Sequence, residues 1–223
     1  CGGGSSDDGP APTNPSGTPT NNIQNPVVKV EAYTSTNLGS VAAESSILTY
    51  KMLGQSGQEV QATSLVFTPN TPPPVGGWPI VVWAHGTTGV ADTCAPSKAA
   101  LADSTKDLIS KLLAAGYVVV APDYEGLGTP GIHPFLNVKS EAFSITDAVV
   151  ATRNYLSQRN LLTSKKWLTV GHSQGGHAAL SAAQYASRAQ LDYKGTVAVA
   201  PASNLGFILV AGEQSVVNAT LDK

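Results

Sequence analysis

Apolar and polar positions along this chain change period several times, and each change marks an element. Val27 to Tyr33 alternates, with Val28, Val30 and Ala32 on one face, which predicts a half-buried strand. Ser46 to Leu53 and Glu59 to Phe67 predict two further strands, separated by the turn residues Gly54-Gln55-Ser56-Gly57. These three read as an antiparallel entry into a larger sheet. Pro69 to Gly77 is a Pro/Gly loop. Ile80 to Ala84 is a short continuous apolar run, as expected for a strand buried on both faces.

From there strands and helices alternate. Lys98 to Ala115 has helical spacing and stops at Gly116. Tyr117 to Ala121 is a strand. Ser140 to Leu156 is a helix with Phe143, Ala148, Ala151 and Tyr155 on its apolar stripe. Lys166 to Val170 is a strand, Gly175 to Arg188 a helix, and Lys194 to Ala200 the next strand. The expected fold class is α/β: a mostly parallel central sheet with antiparallel N-terminal strands and helices on both faces. Residues 1–26 are Gly, Ser, Asp, Pro, Thr and Asn with almost no apolar content. Such a segment buries too little surface to offset ordering entropy, so it is expected as a flexible tether before a domain at 27–223.

Bulk properties narrow the function classes. The chain has 223 residues, 42% hydrophobic and 13% charged, enough for one domain with a real core. A net charge of −2 gives no footprint for nucleic acid. Four histidines and two cysteines show no ligand spacing, so neither metal nor cofactor is expected. Cys1, followed by Gly2-Gly3-Gly4-Ser5-Ser6-Asp7-Asp8, looks like the first residue of a mature bacterial lipoprotein. A lipid on Cys1 would then hold the protein to a membrane of the cell envelope, or the protein would be secreted. The other readings are a chain that happens to begin there, and a Cys1–Cys94 disulfide.

The candidate chemistry lies in Gly171-His172-Ser173-Gln174-Gly175-Gly176. It follows a predicted strand and precedes a predicted helix. In that context G-x-S-x-G is a nucleophile elbow, with Ser173 on a strained turn. A Cβ at either flanking glycine would collide with the neighbouring strand and helix. Such a serine needs oxyanion donors. One is the N–H of Gln174, at a helix N-terminus. The other comes from the loop after the buried strand, His85-Gly86-Thr87-Thr88-Gly89, where the N–H of Thr87 is the candidate. Loss of one such donor costs about 3 kcal/mol of barrier. His85 is expected to orient that loop.

The base and its acid have no place in this chain. After Ser173 the only histidine is His177, four residues on in the same helix and expected to be structural. His172 should point beneath the elbow, and His133 precedes it. Asp192, Glu213 and Asp222 are not followed by a histidine. The acid and histidine are therefore expected downstream of Lys223, in a further segment or a second chain. Asn204 to Val217 reads as the start of an inserted helical segment after the sixth core strand. Asp123 and Tyr124, in Asp123-Tyr124-Glu125-Gly126-Leu127-Gly128, are expected to bond loop backbone and shape the pocket floor. Cys94-Ala95-Pro96-Ser97 reads as a loop with a helix start at Pro96 or Ser97.

Taken together, Trp83-Ala84-His85-Gly86-Thr87-Thr88-Gly89, Cys94-Ala95-Pro96-Ser97, Asp123 to Gly128 and Gly171 to Gly176 resemble, in order and spacing, the secretory lipase family of α/β-hydrolases. The resemblance covers about residues 45–210, with a boundary error of several residues. It implies an α/β-hydrolase fold, hydrolysis of acyl lipids or smaller carboxylic esters, Ser173 as nucleophile, and a lid after Lys194 to Ala200. The family's acid and His match no position here. Two other readings stand beside ester hydrolysis. One is a serine peptidase of the same fold, with Glu125 or Glu213 anchoring a free amine. The other is a non-catalytic surface lipoprotein that retains the fold.

Overall fold

A single mixed sheet, buried on both faces through its central strands, organises the fold. In the computed structural model, which describes residues 17–202, the seven strands are β1 (Val27–Ala32), β2 (Ala42–Leu53), β3 (Glu59–Pro69), β4 (Trp78–Ala84), β5 (Val118–Pro122), β6 (Thr163–His172) and β7 (Asp192–Val199). They form one sheet in the order β1-β2-β3-β5-β4-β6-β7. β1, β2, β3 and β5 pair antiparallel, and β5, β4, β6 and β7 pair parallel. Three helices make the crossovers: α1 (Asp103–Ala114), α2 (Val138–Gln158) and α3 (Gln174–Gln184).

Successive side chains of a strand point to opposite faces, so the sheet has two cores. On one face Ile109 and Leu113 of α1 pack on Leu65, Phe67, Val119 and Ala121. On the other, α2 and α3 cover Tyr50, Val66, Val82, Val120 and Trp167. α2 is buried along most of its first three turns, and its N-cap Asn137 side chain accepts the Ser140 N–H at 2.9 Å.

Strand order places the functional end. The chain leaves β4 through α1 to β5 on one side, then returns through α2 to β6 on the other side of β4. Right-handed crossovers in opposite directions put the helices on opposite faces. The order reverses between β4 and β6, and a crevice opens at their C-terminal ends, the usual ligand position in such sheets. The loops leaving these two ends carry His85-Gly86-Thr87 and Ser173.

The observed elements follow the expected alternation, but β2 begins at Ala42 and β6 at Thr163, earlier than expected, and β1, an edge strand, leaves Val28, Val30 and Ala32 exposed and not half-buried. α1 starts at Asp103, later than Lys98, because Pro96–Lys98 forms a separate 3-10 turn and Ala99 is extended. Ser97 is drawn off by Asp123, whose carboxylate accepts its N–H at 3.0 Å and its hydroxyl at 2.5 Å. α3 ends at Gln184, and Ala186–Ala189 is a 3-10 turn. Pro19 and Asn21, placed in the tether by composition, are tied to the domain. The Asn21 N–H donates to the Arg188 carbonyl, and the Pro19 carbonyl accepts from Arg188 Nη1 at 2.8 Å. Cys1, Glu213, Asp222, the segment Asn204 to Val217 and the expected lid lie outside the described residues.

A buried ion pair joins that N-terminal stretch to α2 and the turn after α3. Arg188 meets Asp147 in a fork, Nε to Oδ1 at 2.8 Å and Nη2 to Oδ2 at 2.9 Å, with both side chains buried. Asp147 also accepts from the Leu53 N–H and from Asn21 Nδ2, each at 2.9 Å. Burial raises the Asp147 carboxyl above its ordinary value, against the pull of Arg188. The pair is thus costly to desolvate and more costly to break. Arg188→Met, which leaves Asp147 buried without its cation, is expected to remove about 3–5 kcal/mol of stability in urea unfolding at neutral pH. A loss below about 1 kcal/mol, the worth of a surface pair, would contradict this description.

Candidate active site

Ser173 sits at the end of β6 and caps α3. Its φ of 56° and ψ of −119° lie where non-glycine residues rarely go, at a cost on the order of 1–3 kcal/mol. Backbone bonds hold it there. The Ser173 N–H donates to the Val199 carbonyl at 3.0 Å, and its own carbonyl accepts from His177 and Ala202 at 3.1 and 3.2 Å. The flanking glycines are required sterically. A Cβ at Gly171 would overlap the Gly175 carbonyl, and one at Gly175 would overlap the Ala84 carbonyl oxygen.

That close approach brings the β4 loop to the elbow. A Cβ built on Gly86 would stand 3.7 Å from the Ser173 Cβ. His85 Nδ1 lies 2.6 Å from the Gly86 carbonyl and His85 Nε2 lies 3.1 Å from the Asp123 carbonyl. A trans peptide is planar, so the Thr87 N–H points away from the carbonyl that faces His85. Burial, the largest influence, holds the His85 pKa below the usual imidazole value, against the pull of both carbonyls. Tyr124, fully buried at φ 82°, stacks on His85 at 4.3 Å and donates its hydroxyl to the His85 carbonyl at 2.7 Å. Gln174 opens α3, so its N–H belongs to the first-turn donors that have no intrahelical acceptor.

Asp123 ties the loop after β5 to β3 and to the Pro96–Lys98 turn; neither it nor Tyr124, both expected to shape the pocket floor, lines the cavity beside His85. Besides Ser97, its carboxylate accepts the Thr63 hydroxyl at 2.6 Å. Burial pushes its pKa up to about 6, and these hydroxyl bonds oppose the shift. Glu125 accepts the Gln55 N–H at 3.1 Å and the Ser140 hydroxyl at 2.5 Å. His172 does not lie beneath the elbow. Gly171 faces α3, so the next residue points to the opposite face, where His172 is exposed. There it helps to line a cavity of about 1000 Å³ together with His85, Gly86 and Thr87 and the apolar Trp83, Val170 and Val199. Ser173 is not part of that lining.

Each histidine is accounted for, and none bonds the Ser173 hydroxyl among the described residues. Both ring nitrogens of His85 face backbone carbonyls, one of which can accept its single N–H, and His172 faces the cavity. His133 Nδ1 lies 2.7 Å from the Glu125 carbonyl, and its Nε2 lies 3.1 Å from Gln174 Nε2. His177 Nδ1 pairs with Glu141 Oε2, a bond that raises the His177 pKa against partial burial. Glu141 and its partners were not legible as a site. The one local signal is an acidic residue beside the apolar stripe of a helix. Among the described residues no cluster of three or more His, Cys, Asp and Glu could hold a metal, and Cys94 is a free thiol.

The secretory lipase family model matches residues 95–220, more than half of the chain. Candida antarctica lipase A in its closed state aligns with a TM-score of 0.63 and 26% identity, over 77% of this chain and 41% of that one. The rice cell wall degrading esterase LipA of Xanthomonas oryzae aligns with a TM-score of 0.63 and 24% identity, over 79% of this chain and 50% of that one. The chain thus spans 41% and 50% of the length of these two solved proteins. No curated protein matches the sequence at a significant level.

The raised Asp123 carboxyl makes a signed prediction. Its folded pKa of about 6 exceeds the ordinary 3.8, so the folded state binds that proton more tightly. The resulting stability is fully present below the unfolded value and is lost as pH rises through about 6. Asn at this position does not titrate. The stability of the natural protein relative to Asp123→Asn is expected to fall by on the order of 3 kcal/mol between about pH 4 and pH 7. Urea unfolding across that range measures it, and a constant or rising difference contradicts it.

Proposed function

The chain belongs to the secretory lipase family, and from that premise we propose that it is a serine carboxylic ester hydrolase with Ser173 as nucleophile. The observation that carries the reading is the strained Ser173 turn packed against the His85-Gly86-Thr87 loop. The serine oxygen attacks the acyl carbon of an ester as a base removes its proton. The carbonyl oxygen becomes an oxyanion and takes hydrogen bonds from the Thr87 and Gln174 N–H groups. Collapse of the tetrahedral intermediate breaks the ester C–O bond, the protonated base returns its proton to the departing oxygen, and the alcohol leaves with the acyl group still on Ser173. Water then attacks the acyl-enzyme, and the acid is released. His85 positions the first donor by holding the Gly86 carbonyl, and the dipole of α3 adds positive potential at the second.

The base and its acid come from polypeptide outside residues 17–202. Support for this is the engagement of His85, His133 and His177 elsewhere, together with the half-length alignment to solved relatives. The apolar cavity beside His172 supports an acyl ester or lipid as substrate, and the family supports a secreted protein. The peptidase reading loses ground because Glu125 is taken up by Gln55 and Ser140. A purely structural surface module gives no reason to retain a strained serine between two obligatory glycines.

The test is turnover of p-nitrophenyl acyl esters by the full-length protein. Ser173→Ala is expected to lower kcat by at least about 10⁴-fold. Equal turnover by the variant would overturn the proposal.

A further inference from the structure

The side chain of Gln174 turns inward beneath the elbow, and a buried polar chain holds it. Its Nε2 lies 3.1 Å from His133 Nε2 and 3.5 Å from Glu141 Oε1. Gln174 and Glu141 are each 1% exposed and His133 is 6% exposed. A carboxylate only accepts hydrogen bonds, so the carboxamide must turn its NH₂ toward Glu141. The second N–H then reaches His133 Nε2, which must be an acceptor. The His133 proton is therefore on Nδ1, where the Glu125 carbonyl accepts it at 2.7 Å. Every donor in the chain meets an acceptor, and no other amide orientation or tautomer achieves that.

The grip extends along α3. The other oxygen of Glu141 takes His177 Nδ1, one turn beyond Gln174. One carboxylate from α2 thus holds the first residue of α3 and the turn above it. At the far end the Glu125 carboxylate bonds the Gln55 N–H and the Ser140 hydroxyl, so the chain is anchored to the β2–β3 turn and to α2.

We propose that Glu141 and His133 are positioning residues that clamp the Gln174 side chain and thereby aim its backbone N–H at the oxyanion. The proposal rests on the hydrolase reading above. The donor is a backbone group, so side-chain substitution removes the clamp and leaves the donor in place. A mobile donor stabilises the transition state less and alters ground-state binding little.

The experiment uses the full-length protein and p-nitrophenyl esters, with kcat and KM measured separately. Gln174→Met, of similar length and without hydrogen bonds, is expected to lower kcat by roughly 10- to 100-fold, within the worth of one oxyanion donor, at nearly unchanged KM. His133→Met is expected to do the same. His133→Gln, which keeps an acceptor near Nε2, is expected to recover most of that loss. A kcat equal to the natural protein in Gln174→Met overturns the clamp and leaves the esterase reading intact. Absence of any Ser173-dependent turnover overturns the esterase reading instead. Long-range ¹⁵N spectra of the histidines at neutral pH are independent of activity. They are expected to show the His133 proton on Nδ1, and a proton on Nε2 overturns the clamp whatever the kinetics.

Discussion

One close approach governs the rest of this structure: the first turn of α3 lies against the carbonyl end of β4. There is no room for a Cβ on Gly175, because the Ala84 carbonyl oxygen occupies that space. Only glycine lets the elbow helix come this near the neighbouring strand. The approach sets the Gln174 N–H and the His85-Gly86-Thr87 loop around Ser173. Strand order explains why these two ends meet. The sheet reverses direction beside β4, and the crevice at that reversal belongs to no single element. The strain in Ser173 is sustained because three backbone bonds and two tightly packed glycines leave it no other conformation.

Four carboxylates are buried among the described residues, and each has donors matched to it. Asp123 is held by two hydroxyls and an amide, Glu125 by an amide and a hydroxyl, Glu141 by His177 and Gln174, and Asp147 by Arg188. An unpaired buried charge costs several kcal/mol, so each of these groups specifies its partner's position. The result is a set of fixed polar contacts that tie α2 to α3, to the loop after β5 and to the turn after β2. His85, stacked on Tyr124 and facing two carbonyls, joins the loop after β5 to the β4 loop.

Local signals carried most of the fold. The continuous run Ile80 to Ala84 and the spacing of Phe143, Ala148 and Ala151 each depend only on neighbours in the chain, and each marks an observed element. The alternation of Val28, Val30 and Ala32 marks a strand, but β1 lies at the sheet edge and these side chains are exposed, so the expected half-burial is not found. The elbow was legible for the same reason, since strand, Gly-x-Ser-x-Gly and helix are contiguous. What was hidden is long-range. The start of α1 depends on Asp123 capturing Ser97, a contact between residues 26 apart in sequence. Pro19 and Asn21 look like tether by composition and are packed because Arg188 and Asp147 reach them. The direction of His172 follows from which face Gly171 takes, and that requires the position of α3. The Glu141–Gln174–His133 chain joins α2, α3 and a loop, and no spacing along the sequence records it.

The central claim is geometric: a strained serine lies beneath two backbone donors, one in the loop after β4 and one opening α3. A crystal structure of the full-length protein with a phosphonate ester bonded to Ser173 tests it most directly. The phosphonyl oxygen, standing in for the oxyanion, is expected about 2.7–3.1 Å from both the Thr87 and the Gln174 amide nitrogens. A phosphonate attached to another residue, or an oxygen turned away from both amides, would contradict the account.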